Sequence, residues 1–518
     1  MVVPSVEELT RPLPASKLTL RCDYCSINYR YEQYGNSTNG YRYYSESRPF
    51  VHCSQVAYMD RFCCAHMGAA ATIYHLMLLS HSHHGWNSFE SIAEIYNESM
   101  RDSQNHNYIN MVDFSRSYPI TLEEGDDENY FGFSTAAEIH RKTVANGFWN
   151  YELELELRDR DMENFLFART NDREKAMSLI DEQRADSIYD HDTCSDECKR
   201  RGCGKLFAVD GNWKLCYPIC MYRVPKEISG FDGALQYVDS CPNEPATGMA
   251  FCGEHCQDAG KKGIPCTLRE FLKFSLEASK ERPTADSNAD LTAADCQGIS
   301  SALEQYPGLS QLDSCEEVAA TKTQCNKDTG QPKKLQKWTR GIWMCASGGG
   351  HIQMWQPLYQ SEGPAQVFLL MLSWLIAAFG NKTRRTWKEV ILAYDNMCHV
   401  NNLKVARNDL PLPGDLKYIW KDINKIIDSL YINNHCDPRC KTLYDPQPIK
   451  EKNPSFNTMA CEQTFAWMSR FKKIVCSMPK THHHFYIHRM VKRRNAYISY
   501  CYLHGRRPIH AKKLDTKE

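Results

Sequence analysis

Apolar residues along this chain fall into short patterned segments divided by polar ones. YELELEL, residues 151–157, alternates apolar and acidic positions and predicts a half-buried strand. A polar helical stretch over 161–184 follows it. KLFAVDGNWKL predicts an apolar strand that ends at Asp210 and turns at Gly211 and Asn212. RGIWMCASGGGHIQMWQPLY predicts a hairpin turning at Gly348 to Gly350. The 13-residue run VFLLMLSWLIAAF is too short to span a bilayer, which needs about 20 residues, so it reads as a buried core helix starting near Ala365. EVILAYDNMC reads as a strand with Asp395 at its carboxyl end. LKYIWKDINKIIDSLYI reads as an amphipathic helix, and NTMACEQTFAWMSRFKKIV as another, carrying Glu462. Nearer the start, AAATIYHLMLL and SFESIAEIYNESM read as helices, and residues 123–128 as an exposed acidic loop.

The order strand, hairpin, helix, strand, helices is an α/β pattern. In open α/β sheets, sites form at the carboxyl ends of strands. Acidic residues stand at two such ends and on a late helix. Three converging carboxylates would suit divalent cations, which are hard and prefer oxygen ligands. Taken singly, each has another use: a turn residue at Asp210, a helix cap at Asp395, a solvated helix position at Glu462.

Composition narrows the class. The chain has 518 residues, 42% hydrophobic and 24% charged, enough for several domains and unlike a disordered, collagenous or membrane chain. No basic region followed by an apolar run opens the sequence, so no secretory signal is expected. The net charge of −1 hides an asymmetry. Residues 121–200 hold 21 Asp/Glu against 10 Lys/Arg, whereas residues 441–518 hold 16 Lys/Arg against 5 Asp/Glu. Only the second of these could meet a polyanion.

The 24 cysteines, without an export signal, point to metal ligands or buried thiols rather than disulfides. His191, Cys194, Cys198 and Cys203 have spacing suited to zinc, which takes four N/S ligands tetrahedrally. Cys216, Cys220, Cys241, Cys252, His255 and Cys256 offer a second set, with the grouping open. Near the start, Cys22 and Cys25 with Cys53, Cys64 and His66 offer a third. Residues 280–337 are polar and read as an insertion or linker. THHHFYIHRM places His484 and His488 one helical turn apart. With no cysteine-rich loop or carboxylate beside them, a helix face near nucleic acid is the better reading. Lys472, Lys473, Arg489, Lys492, Arg493 and Arg494, interleaved with Phe471, Phe485, Tyr486 and Tyr497, suit phosphate contacts and base stacking. A solvated basic face is the alternative.

Taken in order, VDGNWKL, GIWMCASGGGHI, LAYDNMC, the stretch with His435, Cys440 and Tyr444-Asp445-Pro446, and ACEQTFAWMSRF form a series. The series resembles the Kyakuja–Dileera–Zisupton (KDZ) transposases of eukaryotic DNA transposons over about residues 190–500. The resemblance implies a ribonuclease-H-like catalytic core, interrupted by a cysteine-rich zinc-binding insertion and preceded by a mixed amino-terminal region, and because that core needs both segments it implies that residues 205–222 and 338–360 pair in one sheet despite the long stretch between them. It implies an Asp-Asp-Glu triad of Asp210, Asp395 and Glu462, with His435 and Cys440 in support. Where the family often has another histidine, about four residues before His435, this chain has Tyr431.

The implied organisation is an amino-terminal region with a partial cysteine cluster (1–115), an acidic connector (116–190), a first cysteine cluster with the first core strands (191–222), a cysteine-rich insertion and polar linker (223–337), the rest of the core (338–505) and a basic tail (506–518). The implied activity is DNA cleavage and strand transfer with two Mg²⁺ or Mn²⁺ ions, Asp210 bridging them, beside structural Zn²⁺. The implied partner is DNA, both transposon ends and target, in the nucleus, with no membrane role and a homo-oligomer left open. The alternative is a non-catalytic, zinc-dependent DNA-binding protein derived from a transposase.

Overall fold

A computed structural model describes residues 141–160, 170–227, 236–274, 317–319, 322–325, 338–358 and 362–508, save a few positions within these spans. It also describes the short stretches 20–21, 28–29, 33–36, 40–43, 90–91 and 94. Cys22, Cys25, Cys53, Cys64 and His66, the early acidic loop and the first predicted helix lie outside the described residues. The chain divides into two compact units, Met1–Met177 and Ser178–Glu518.

The first unit holds a four-stranded antiparallel meander: β1 (Leu20–Arg21), β2 (Asn28–Tyr29), β3 (Gln33–Asn36) and β4 (Gly40–Tyr43). It also holds helix α1 (Arg141–Asp159). The strand predicted at 151–157 is therefore part of a helix. The alternation covers too few residues to outweigh a longer pattern: Trp149, Leu153 and Leu157 recur every fourth position, and all three are buried. Glu and Leu are also strong helix formers, and the segment has no β-branched residue. Glu152 and Glu156, on the same side, are buried too, and Arg160 donates from Nε to Glu156 at 2.7 Å. Helix α2 (Thr170–Ala185) follows, on the stretch expected to be helical.

The second unit is built on a five-stranded mixed sheet, so the chain is α/β. Its strands are β5 (Leu206–Asn212), β8 (Ile342–Ser347), β9 (Ile352–Pro357), β10 (Ile391–Ala393) and β11 (Asn424–Ile426), in the order β11-β10-β5-β8-β9. β5 pairs antiparallel with β8 and β8 with β9; β10 runs parallel to β5 and β11. The expected pairing of the two distant segments is present, with Asp210 opposite Met344. Between β5 and β8 the chain forms a second hairpin, β6 (Arg223–Glu227) with β7 (Gln236–Ser240), and a short helix, α4 (Gly253–Lys261), after α3 (Asp196–Arg200).

β11 corrects the reading of residues 416–432 as an amphipathic helix. Only Ile419–Asp422 (α6) is α-helical there, preceded by a 3₁₀ turn, and a further short helix, Pro438–Leu443 (α7), comes after β11. The apolar spacing could serve a helix, but Asn424–Ile426 meets the open edge of β10, and pairing of the backbone groups there decides the matter.

Two layers cover the sheet. On one face, Phe207 and Val209 join Trp343, Cys345 and the apolar helix α5 (Pro364–Phe379) in the main core. Each large side chain buried there contributes roughly 1.5–3 kcal/mol. The opposite face of β5 carries Ala208 and Asp210, and against it packs α8 (Ala460–Met468). Cys461 Sγ of that helix lies 3.0 Å from the Ala208 carbonyl.

The last helix, α9 (Lys480–Leu503), is covered on most sides. This overturns the expected surface role of its histidines. His483, His484 and His488 are buried; His484 Nδ1 lies 2.7 Å from Asp181 Oδ2, and His488 Nδ1 lies 2.7 Å from the Tyr189 hydroxyl. Neither ring nitrogen of His483 has a hydrogen-bond partner among the described residues. Burial holds its pKa well below 6.5. In the folded chain it therefore stays neutral, while in the unfolded chain it takes a proton as pH falls below about 6.5. Stability contributed by the neutral ring is present above that pH and lost as pH falls, by up to about 1.4 kcal/mol per pH unit for this one group. Urea titrations from pH 7 to 5 are expected to show a shallower loss for His483→Leu than for the native chain. Equal slopes would remove His483 from the acid response.

Candidate active site and metal centres

β5 and β10 are parallel neighbours, so Asp210 near the end of one and Asp395 just past the other come together. A third carboxylate joins them, Glu362, from the segment leading into α5. One ligand oxygen from each of Asp210, Glu362 and Asp395 lies within 4.8 Å of the others. Sequence reasoning misses Glu362. Its only sequence signal is an acid beside a Gly-Pro helix start, which reads as ordinary capping. In the fold it accepts hydrogen bonds from the Tyr394 hydroxyl at 3.1 Å and the Trp213 indole N–H at 3.1 Å. It lies directly over Gly211, where any side chain would occupy the place of its carboxylate. That close approach gives the Asp-Gly-Asn turn a reason beyond turn propensity.

Glu462, on the first turn of α8, acts electrostatically on both aspartates. It accepts a short hydrogen bond from the Tyr431 hydroxyl, the residue at the histidine-to-tyrosine departure. Burial, then the Glu362, Asp395 and Glu462 carboxylates, push Asp210 well above the usual carboxylate range. Burial raises Asp395 to about 6, partly offset by the Asn396 backbone N–H, 2.7 Å from Asp395 Oδ1, and by His435. Asp428, past β11, is also raised, by burial and by Glu462. A pocket in which the strongest charged neighbours of one carboxylate are other carboxylates is electrostatically suited to a cation.

Three Cys₃His sets stand around this sheet, each with its four ligand atoms within 4.8 Å of one another. With Zn–S bonds of about 2.3 Å, tetrahedral sulfurs would sit ~3.8 Å apart, so these sets are compatible with zinc. The first is the expected His191, Cys194, Cys198 and Cys203. His191 Nε2 is 3.2 Å from Cys203 Sγ, and the His191 ring stacks on His351 at 3.8 Å. The tip of the β8–β9 hairpin lies against it. A Cβ on Gly349 would come within 2.5 Å of Cys198 Sγ, which is why glycine stands at that turn.

The second set is Cys220, Cys241, Cys252 and His255. Cys241 and Cys252 sulfurs are 4.0 Å apart, and His255 Nδ1 is 3.2 Å from Cys252 Sγ. Backbone N–H groups of Cys252 and Asn243 point at the Cys220 and Cys241 sulfurs, 3.2 and 3.4 Å away, an arrangement that favours thiolates. Two of the six residues expected in this set stand elsewhere. Cys216 faces Cys476 at 3.8 Å, and Cys256 Sγ turns to the Phe251 carbonyl.

The third set, Cys325, Cys398, His435 and Cys440, is legible in the sequence only in its second half. His435 and Cys440 are the expected supporting residues. Cys325 belongs to a stretch that reads as linker, and no sequence pattern marks Cys398 as a ligand. The Cys325 and Cys440 sulfurs are 3.7 Å apart, and His435 Nδ1 is 3.3 Å from Cys325 Sγ. The other ring nitrogen of His435 lies 2.8 Å from the Asp395 carbonyl oxygen. This set therefore touches the backbone of a pocket carboxylate.

The basic residues divide. Lys472 and Lys473 are exposed and Lys492 and Arg493 are partly exposed, but Arg489 and Arg494 are buried, as are Phe471, Phe485 and Tyr486. Burial removes those five from a surface for phosphates and bases. A helix covered on several sides buries positions that the sequence alone reads as a polar face. Among the described residues, no helix is long and apolar enough to cross a membrane. No family model, curated protein or solved structure matches the chain.

Proposed function

We propose that this chain is a phosphoryl-transfer enzyme of the KDZ transposase type, or a descendant of one, which cuts DNA with an acidic two-metal site. The observation that carries the reading is the meeting of Asp210, Glu362 and Asp395 at neighbouring strand ends, with Glu462 acting on both aspartates. Three antiparallel strands continued by two parallel ones, with the acids on the central strand and its parallel neighbour, support a ribonuclease-H-like core. The hairpin and α4 between β5 and β8, carrying the second Cys₃His set, support the zinc-binding insertion.

Asp210, on the central strand, would hold Mg²⁺ or Mn²⁺ together with Asp395, Glu362 and Glu462. Bound ions would lower the pKa of the attacking water or 3′ hydroxyl and neutralise charge on the leaving oxygen. The chain's own part is preorganisation: Tyr394 and Trp213 fix Glu362, Tyr431 fixes Glu462, and His435 fixes the backbone of Asp395. Nicking of supercoiled DNA that requires added Mg²⁺ or Mn²⁺ is the test. Salt-sensitive DNA binding with no cleavage under any divalent ion would replace this reading with the DNA-binding descendant in the nucleus.

The exposed lysines supply a separate expectation. Each phosphate neutralised adds about −0.9 to the slope of log affinity against log salt on duplex DNA. Lys472→Glu with Lys473→Glu is expected to weaken binding to all sequences alike and to flatten that slope by about one for each phosphate these lysines neutralise. Unchanged affinity and slope would return these lysines to a solvated face.

A further inference from the structure

One large aromatic stands open beside the carboxylates. Trp213 directly follows β5 and is 52% exposed, whereas Trp343, Trp355, Trp374, Trp387 and Trp420 are fully buried. An exposed indole forgoes burial, yet this one is held in place. Its N–H donates to Glu362 Oε2 at 3.1 Å, so the ring is tied to the group that meets Asp210 and Asp395. The Arg340 guanidinium lies 5.3 Å from the ring centroid. Arg340 Nε has no hydrogen-bond partner among the described residues. A tethered, open aromatic surface and a half-buried guanidinium thus stand together beside a carboxylate of the acidic pocket. That pocket by itself would repel a phosphate chain.

We propose that Trp213 and Arg340 form a nucleotide subsite for the DNA strand, in which an unstacked base lies on the indole and Arg340 takes a neighbouring phosphate. The location rests on the phosphoryl-transfer reading; the binding chemistry does not. Aromatic stacking is tolerant of base identity because every base has a π-face, so the subsite would hold a strand without reading its sequence. Arg340 would supply the positive charge that the carboxylates lack. The hydrogen bond to Glu362 couples the two sites: a base pressed on the ring also steadies a carboxylate of the pocket. The substrate in this position is single-stranded, or a duplex with one base swung out, because paired bases offer no free face.

The test uses the full, zinc-loaded chain and a short fluorescein-labelled oligothymidylate, without added Mg²⁺ or Mn²⁺. Trp213→Ala is expected to weaken binding about ten-fold. Trp213→Phe is expected to keep part of the affinity, since it keeps one ring face while losing the N–H and the second ring of the indole. Arg340→Gln is expected to weaken binding and to flatten the salt slope by about one, the share of a single phosphate. The indole emission lost in Trp213→Phe is expected to be the part that DNA quenches in the native chain. That difference signal decides the matter even if Trp213→Ala fails to fold. Absence of binding by the native chain, equal affinity in Trp213→Ala, or unquenched Trp213 emission would each overturn the subsite. The two readings fail separately. Weaker binding in Trp213→Ala with no cleavage by the native chain removes the catalytic reading and leaves the subsite. Metal-dependent cleavage with unchanged affinity removes the subsite alone.

Discussion

Asp210→Asn is expected to abolish divalent-dependent DNA cleavage, by about 10³-fold or more, equivalent to about 4 kcal/mol of transition-state stabilisation. The amide keeps the shape but removes one charge where Asp210, Glu362 and Asp395 converge. It also relieves the repulsion that, together with burial, raises Asp210. The variant should therefore fold at least as well as the native chain while losing metal affinity. DNA binding and zinc content should be unchanged. Glu362→Gln and Glu462→Gln are expected to lose cleavage as well. Gln463→Ala serves as the control, because Gln463 accepts a hydrogen bond from Asn457 at 3.0 Å and its amide is a poor cation ligand. Cleavage that survives Asp210→Asn, measured on supercoiled plasmid with Mg²⁺ and with Mn²⁺, would sink the proposed mechanism.

Zinc removal is expected to be nearly as damaging. Three Cys₃His sets predict three zinc ions per chain from the described residues, countable by elemental analysis. Stripping them should unfold the segments they hold, since the free energy of binding structural zinc, about 10–16 kcal/mol in small zinc-finger peptides, drives their folding. The sets should differ in their effect on chemistry. The second belongs to a hydrophobic cluster of its own, with Cys220, Phe251 and Phe271. Cys252→Ser should lower the zinc count by one and leave metal-dependent cleavage within a few-fold. The third set shares His435 with the Asp395 carbonyl, and Cys398 follows Asp395 by three residues. Cys440→Ser should also lower the zinc count by one, but with a loss of cleavage approaching that of Asp395→Asn. Equal cleavage in Cys440→Ser and Cys252→Ser would separate the third set from the pocket. A chain purified without chelator and free of zinc would reject all three.

Local features are legible from the chain alone. Strand β5 and the β8–β9 hairpin announce themselves through short apolar runs bounded by turn residues, and helix α5 through a run too short for a bilayer. The first Cys₃His set is close-spaced, so one segment supplies all four of its ligands. Asp210, Asp395 and Glu462 are singled out only by the ordered series of motifs in which they stand, since each alone has an ordinary structural use. The acidic and basic asymmetry is likewise a property of the linear chain.

What converges from far apart was decided by the tertiary structure. Glu362 joins Asp210 and Asp395 only because α5 begins over Gly211, and nothing around Glu362 in sequence marks it. Cys325 and Cys398 reach His435 and Cys440 from separate segments, one of them polar enough to pass for linker. Whether Asn424–Ile426 is helix or strand depends on the open edge of β10, which supplies partners for its backbone. Residues 151–157 carry a period-2 pattern too short to bind them to it, so the longer apolar spacing from Trp149 to Leu157 prevails. Arg489, Arg494 and the histidines of α9 look like a polar face until the fold covers that helix. In each case the deciding free energy is burial or pairing against a distant segment, and a linear pattern records only which residues could take part, not which neighbours they will meet.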